Sequence, residues 1–361
     1  MMNGSSTLPF FFYAAKHMTW IPRFCLPLLV CIAAFVAVPA HAQFVSESHL
    51  QPDQLAIVIN DAEPNSVKVG EYYRKRRGIP AANVVHVRIP GKPHEISFDR
   101  FAQLKEEIDA HLGPNVQAVL MVWTAPYKVE CNSITGAYTL GVDPAQCIKT
   151  CLPGRPSPYF NSSSARPYTD LKIRISMLLP TESVEQAKAL IDRGAGAGFR
   201  IVPASAYFLT TSEKPRNSRA AFFPPAGKIA ARKLTTKPIQ ADVLEGEKDI
   251  IIYETGMAEV AKLDTLGFLP GALADHLTSL GGDLLGGDQM SALRWLEAGA
   301  TASYGTVSEP CNHWQKFPNS TVLLKHYVQG NSAIEAYWKS VAWPTQGLFI
   351  GEPLAAPYRK R

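Results

Sequence analysis

Short runs of apolar, β-branched residues alternate with stretches whose apolar positions recur every three or four residues, the pattern of strands alternating with helices. Leu55–Ile59 is the first such run. Asn65 or Ser66 can cap a helix behind it, with Val67, Val69, Tyr72 and Tyr73 at its less polar positions and Gly78 before Pro80 to stop it. Val84–Ile89 predicts a second strand. Ser97 can cap a helix through His111, with Phe98, Phe101, Leu104, Ile108 and Leu112 at helical spacing and Gly113-Pro114 beyond them. Val116–Trp123 is apolar throughout, as befits a strand covered on both faces. Strands and helices joined by short links point to right-handed crossovers in a layered sheet.

Residues 124–170 break the pattern, carrying three cysteines, six prolines and the polar run Asn161–Ser164. A structureless loop of that length is uncommon, so the stretch reads as an insertion pinned by disulfides or by packing on the sheet edge. Beyond it Lys172–Leu179, Ala206–Thr210 and Asp249–Tyr253 predict strands, with a helix over Thr181–Arg193. Pro270–Leu280 predicts a helix ended by Gly281-Gly282, and Ser291–Glu297 a short one leading into a strand at Ala300–Gly305. Helices near Thr321–Val328 and Ser332–Trp343 precede a last strand, Gly347–Ile350.

Phe24–Ala37 is almost wholly apolar, Arg23 precedes it, and Ala40-His41-Ala42 places small residues before Gln43. A basic start, an apolar run short of the ~20 residues a membrane span needs, and a small-residue ending predict a secretory signal peptide over residues 1–42. Translation from Met18 would give that leader an ordinary start and make residues 1–17 a mis-assigned extension. The 361 residues less the 42 of the leader leave 319, enough for one large domain. Cys25 and Cys31 go with the leader, and Cys131, Cys147, Cys151 and Cys311 stay. The formal charge of +5 falls to +3 with the loss of Lys16 and Arg23, and Arg359, Lys360 and Arg361 account for that remainder. No basic stripe is left for nucleic acid, and no later stretch is long and apolar enough to span a bilayer.

Asn65-Ser66, Tyr72-Tyr73 and Arg77–Pro80 near the start, Ile191–Gly194, and Gly271–Asp275 with Leu277–Ser279 belong to one pattern. Gly299–Cys311, Lys316–Pro318, Glu335–Tyr337 and Gly351–Leu354 complete it over nearly all of the mature chain. In this pattern the chain resembles a family of bacterial exported conserved-hypothetical proteins, which implies export and an α/β fold. In architecture it distantly resembles cysteine peptidases of the caspase and gingipain class, which set a catalytic His-Gly and a Cys just after two adjacent strands. The matching strand end here reads Glu254-Thr255-Gly256, and Leu277–Leu280 holds no cysteine.

Candidate chemistry gathers after the Ala300 strand, where Glu309, Cys311 and His313 share a loop. Open α/β sheets bind ligands outside the carboxyl ends of their strands. Cys311 as a nucleophile needs a base to become a thiolate, and His313 or His276 is placed to accept the proton. An even cysteine count in an oxidising compartment favours disulfides instead. Cys131 follows the third strand and Cys311 the Ala300 strand, which predicts a Cys131–Cys311 bridge on one carboxyl edge, with Cys147–Cys151 closing a small loop. Glu254, Asp275, His276, Asp288, Glu309 and His313 lack zinc-site spacing, so no metal is expected. No Gly-x-Gly-x-x-Gly follows the first strand, and Gly194–Gly198 trails a helix as a termination signal, so no nucleotide cofactor is expected. Ser279 and Ser308 lack the elbow of a serine hydrolase. Trp314 and Phe317 are the aromatics placed to line a cleft.

The prediction is an exported protein, periplasmic or extracellular. Its fold class is α/β, a three-layer sandwich with a mostly parallel sheet, helices on both faces and an irregular cysteine-bearing insertion. Residues 43–123 and 171–361 form two halves of the same domain around the insertion at 124–170. Its leading function is ligand binding, or a degenerate enzyme's cleft, at the carboxyl edge of the sheet. Glu254, Asp288, Glu309 and Trp314 would line that cleft beside the Gly281–Asp288 turn. The alternative is a peptidase-like cysteine hydrolase using Cys311 with His313 or His276. The partner would be a small molecule, a peptide or an envelope component, with no cofactor.

Overall fold

The computed structural model describes residues 49–198 and 201–359, so the expected leader with Cys25 and Cys31 lies outside the described residues. In chain order the strands are β1 (Leu55–Asn60), β2 (Val84–Val87), β3 (Glu95–Ile96), β4 (Ala118–Val122), β5 (Lys128–Val129), β6 (Asn132–Ser133) and β7 (Ile175–Leu178). They continue as β8 (Ala204–Thr210), β9 (Gly227–Ile229), β10 (Leu234–Gln240), β11 (Ile250–Thr255), β12 (Phe268–His276), β13 (Ala302–Thr306) and β14 (Gly347–Gly351). The helices are α1 (Pro64–Arg77), α2 (Phe98–Asp109), α3 (Ile134–Leu140), α4 (Ala145–Ile148) and α5 (Pro167–Leu171). After the insertion come α6 (Val184–Ala195), α7 (Leu293–Ala298), α8 (Ser320–Val328) and α9 (Ala333–Ser340).

Local chemistry sets the helix ends. Ser97 accepts from the Arg100 amide at 3.3 Å and Ser183 from that of Gln186 at 3.2 Å, each satisfying a free donor of a first turn. Gly78 closes α1 with φ of 67°, a conformation that glycine adopts without penalty. Phe101, Leu104 and Ile108 bury one stripe of α2, as their spacing predicts.

Eleven strands form one mixed, mostly parallel sheet in the order β2-β1-β4-β7-β14-β13-β12-β11-β8-β10-β9, with helices around it. The strands β2, β1, β4, β7 and β14 run parallel to one another. So do β13, β12, β11, β8 and β10. Between the groups β13 and β14 pair antiparallel, from Ala302 opposite Gly351 to Thr306 opposite Gly347. The sheet is therefore two parallel runs pointing in opposite directions. Every residue of β1, β4, β7, β11, β13 and β14 is buried, and since successive side chains face opposite ways, both faces of the sheet are covered.

A polar joint fastens α1 to the turn after β14. The buried Glu352 carboxylate accepts from Tyr73 Oη at 2.7 Å and from Arg77 Nε at 3.0 Å, while its other oxygen pairs with Arg77 Nη2 at 2.5 Å. Gly194 in α6 leaves room for this carboxylate, because a Cβ there would stand 2.3 Å from Glu352 Oε2. Asp192 takes Tyr72 Oη at 2.8 Å and Arg76 Nε at 2.7 Å. Tyr72-Tyr73, Ile191–Gly194 and Gly351–Leu354 thus meet as parts of one packing joint.

Three sequence expectations need correction. Pro270–Leu280 is not a helix: Phe268–His276 is the strand β12. Alanine and leucine favour helix, but here they are buried between β11 and β13, and tertiary packing overrides propensity. Pro270-Gly271 is absorbed by a bulge, where the register jumps from Ile250 opposite Phe268 to Ile252 opposite Leu273 and Gly271 takes φ of 91°. The outer strands β9 and β10 escape apolar periodicity because an edge strand is half polar. Since β9 pairs only with Leu234–Thr236, Pro238 lies past the last ladder bond on that side, where a missing N–H is tolerated.

The third correction concerns the rims. Because the two runs oppose each other, Cys131 and Cys311 do not follow strands onto a shared carboxyl edge. The β5–β6 hairpin instead carries the chain back toward the start of β14, where Ser133 Oγ donates to Gly347 O at 2.6 Å. There Ser308 Oγ donates to Cys131 O at 2.7 Å, so the two segments do meet. The insertion also holds more regular structure than its composition suggests, with β5, β6, α3 and α4 inside it and α5 at its end.

Candidate functional site

β11 and β12 end side by side on the rim where the second run of strands terminates. Their register sets Glu254 opposite Asp275 and Thr255 opposite His276. Strand alternation then sends the two carboxylates to one face of the sheet and His276 to the other. Both acids are fully buried. Arg219, from the connection after β8 and also buried, places Nη1 2.5 Å from Asp275 Oδ1 and 3.6 Å from Glu254 Oε1. Its Nη2 donates to Thr255 O at 3.0 Å. Ser320 in the first turn of α8 donates to the second Glu254 oxygen, and Tyr337 of α9 donates to Asp275 Oδ2 at 3.4 Å.

Burial pushes the Glu254 carboxyl up to about 8, past the opposing pull of Arg219 and helped by Asp275. Burial raises Asp275 in the same sense. An unfolded glutamate titrates at 4.5, so between 4.5 and about 8 the folded state keeps a proton that the unfolded state has released. Stability from this group is complete below the lower value and is lost as pH rises through the upper one. Urea unfolding should give a lower midpoint at about pH 9 than at about pH 6, and Glu254→Gln should shrink that difference. An unaltered difference in the variant would remove Glu254 as its source.

His276 is enclosed on the opposite face. Trp295 Nε1 donates to its Nδ1 at 2.9 Å, which makes Nδ1 the unprotonated nitrogen, so Nε2 carries the hydrogen and donates to Met290 O at 3.0 Å. Burial holds the ring down to about 3, with only the Met290 bond favouring its charge. The imidazole has no lone pair free to take a proton from a substrate.

The loop after β13 holds the other candidates. Cys311 is bonded to Cys151, with Cα atoms 5.4 Å apart, and Cys131 to Cys147, with Cα atoms 5.1 Å apart. This exchanges the predicted partners. The turn closed by Leu152 N–H on Lys149 O parts Cys147, which stays with the hairpin, from Cys151, which reaches the loop after β13. His313 Nε2 lies 2.9 Å from Cys151 O, and its ring packs on Trp343 with centroids 5.6 Å apart. Glu309 Oε1 accepts from the Cys311 amide at 2.7 Å. Trp314 stacks at a tilt on Phe222 with centroids 4.5 Å apart, and Phe317 is buried. Asp288 is exposed in the turn after β12.

So the structure brings Cys311, His313, Glu309 and Trp314 into one loop. It puts Glu254 and His276 on neighbouring strands but back to back and buried, and leaves Asp288 apart. Glu254 does not line a cleft, because Arg219 covers it. Nothing in the sequence around Arg219 announces this role, since a lone arginine in an aperiodic stretch carries no pattern.

An open cleft of about 460 Å³ lies instead between the segments that follow β11 and β12. Glu259, Lys262 and Asp264 wall one side, Gln289 and Arg294 the other, with Leu263 and Met290 among the apolar contacts. Gln289 is held in place by Thr278 Oγ1 and the Leu280 amide, which donate to its Oε1 at 2.7 and 2.8 Å. Among the described residues, no three His, Cys, Asp or Glu side chains are arranged to hold a metal, and no helix is long and apolar enough to cross a membrane.

No protein-family model matches this chain, and no curated protein matches it. Among solved structures it is similar to the Arg-specific cysteine proteinase gingipain R, at 12% identity over 86% of this chain and 80% of that one, with a TM-score of 0.41.

Proposed function

We propose that this chain is an exported binding protein, periplasmic or extracellular, that holds a small zwitterionic or peptide-like ligand without bonding to it covalently. One observation carries the reading: each side chain able to react at this rim already has an internal partner. Cys311 is bonded to Cys151, His276 lies between Trp295 and Met290, and His313 contacts the Cys151 carbonyl. Glu254 and Asp275 share Arg219. A cysteine hydrolase needs a thiolate, and the bonded state of Cys311 offers none. The open cleft mixes the carboxylates of Glu259 and Asp264 with Lys262 and Arg294, whose exposed ion pairs to Glu245 and Glu297 a ligand can exchange, around apolar side chains. Such a surface suits a ligand carrying both an ammonium and a carboxylate. Two disulfides fit an oxidising compartment.

The test pairs thiol labelling with ligand screening. Native protein should resist iodoacetamide and leave peptides uncut, whereas a panel of dipeptides should raise its melting temperature, less so in Arg294→Ala. Peptide cleavage abolished by Cys311→Ser would overturn the proposal in favour of the hydrolase.

A further inference from the structure

A larger cavity, of about 650 Å³, lies in the first run of strands, where β4 and β7 begin. It is bounded by the last turns of α2, the end of α3, the insertion and the residues leading into β7. Its lining contains four cations, Lys105, Arg155, Lys172 and Arg174, against a single carboxylate, Asp109. That carboxylate is already satisfied: Tyr138 Oη donates to Oδ1 at 2.7 Å and Lys105 pairs with Oδ2.

The other three cations are held mainly by neutral acceptors, Arg174 keeping only a long ion pair to the Asp109 it shares with Lys105. Arg174 lies over the Tyr168 ring, 3.5 Å from its centroid, and anchors Nε and Nη2 on the carbonyls of Val116 and Gly113 at 3.2 and 3.3 Å. Its Nη1 is 3.9 Å from the nearest Asp109 oxygen, beyond hydrogen-bond reach. Arg155 braces the carbonyls of Leu140 and Val142, and Lys172 that of Thr169, all neutral acceptors. A carbonyl fixes a cation's position and leaves its charge. With Lys105 set against Asp109, three positive charges remain beside two tyrosine rings.

We infer that this cavity binds a small ring-bearing dianion, a phosphate monoester or a dicarboxylate, through Arg155, Lys172 and Arg174, with Tyr168 and Tyr138 beside the ring. Guanidinium groups match the planar, paired oxygens of carboxylate and phosphate, and positions fixed in advance lower the cost of binding. The cysteine-bearing insertion gains a purpose here, since it supplies Arg155 and Tyr168.

The site is independent of the cleft proposed above, and titration calorimetry at low salt separates the two. Phenyl phosphate and isophthalate are the probes, with inorganic phosphate and benzoate as controls. At least one probe should bind, more tightly than both controls, with affinity that falls as salt is added. Lys172→Gln and Arg155→Gln should each weaken it several-fold and together at least tenfold, while Arg294→Ala in the cleft leaves it unchanged. Lys172 is exposed, so its variant keeps the test sound should Arg155→Gln disturb the fold. Absence of heat with both probes, or affinity unchanged in the double variant, would overturn the inference.

Discussion

At about pH 9, above the Glu254 titration, Arg219→Met should cost about 3–5 kcal/mol of stability, because it strips the shared cation from two carboxylates that have no access to water. For a chain of this size that is a fall of roughly 10 °C in melting temperature. Methionine keeps most of the arginine's bulk, so the loss reports charge and not a cavity. Pairing Arg219→Met with Glu254→Gln and Asp275→Asn should recover much of the loss, since the buried charge is then gone. Calorimetric melting of the single and triple variants decides the matter. A single variant melting within about 2 °C of the parent would mean that the two acids are already neutral or solvated.

Cys151→Ser with Cys311→Ser should be at least as damaging. That bridge spans 160 residues of sequence, against 16 for Cys131–Cys147. Loop-closure entropy grows with the logarithm of loop length, which places the long bridge at about 5 kcal/mol and the short one at about 3 kcal/mol. Urea unfolding of the two double-serine variants under non-reducing conditions should therefore rank them in that order. The reverse order would show that the short bridge acts by holding the insertion in its native contacts, outweighing chain entropy.

Where one residue's neighbours in sequence are also its neighbours in space, the fold was legible. The helices α2 and α6 announce themselves by a capping serine and an apolar stripe, and β1 and β4 by unbroken apolar runs. The strand β12 does not, because Leu-Pro-Gly-Ala-Leu-Ala is a helix-like composition made into a strand by β11 and β13, partners that local sequence cannot show. The opposed direction of the two runs is equally hidden, since it depends on β14 returning to lie beside β7. That reversal brings the segments around Cys131 and Cys311 together through the β5–β6 hairpin and not as ends of adjacent parallel strands, and each cysteine bonds elsewhere. At the site, Cys311, His313, Glu309 and Trp314 are close in sequence, and their grouping was readable. The partner that covers Glu254 lies 35 positions away in a stretch without periodicity, and only the register of β11 on β12 exposes the need for it.

A sheet this wide has two outer strands whose free amides and carbonyls invite a stranger's backbone to dock. At one margin β9 offers only three residues, Lys228 sits at its middle, and Lys237 and Pro238 occupy the uncovered stretch of β10 beyond it. At the other, β2 is four residues long with an exposed His86 at its third position and Arg88 just beyond it. Brevity, positive charge and a missing donor all discourage recruitment of a further strand. Polymerisation through the sheet margins is thereby disfavoured, and copies of the chain are guarded against joining one another edge to edge.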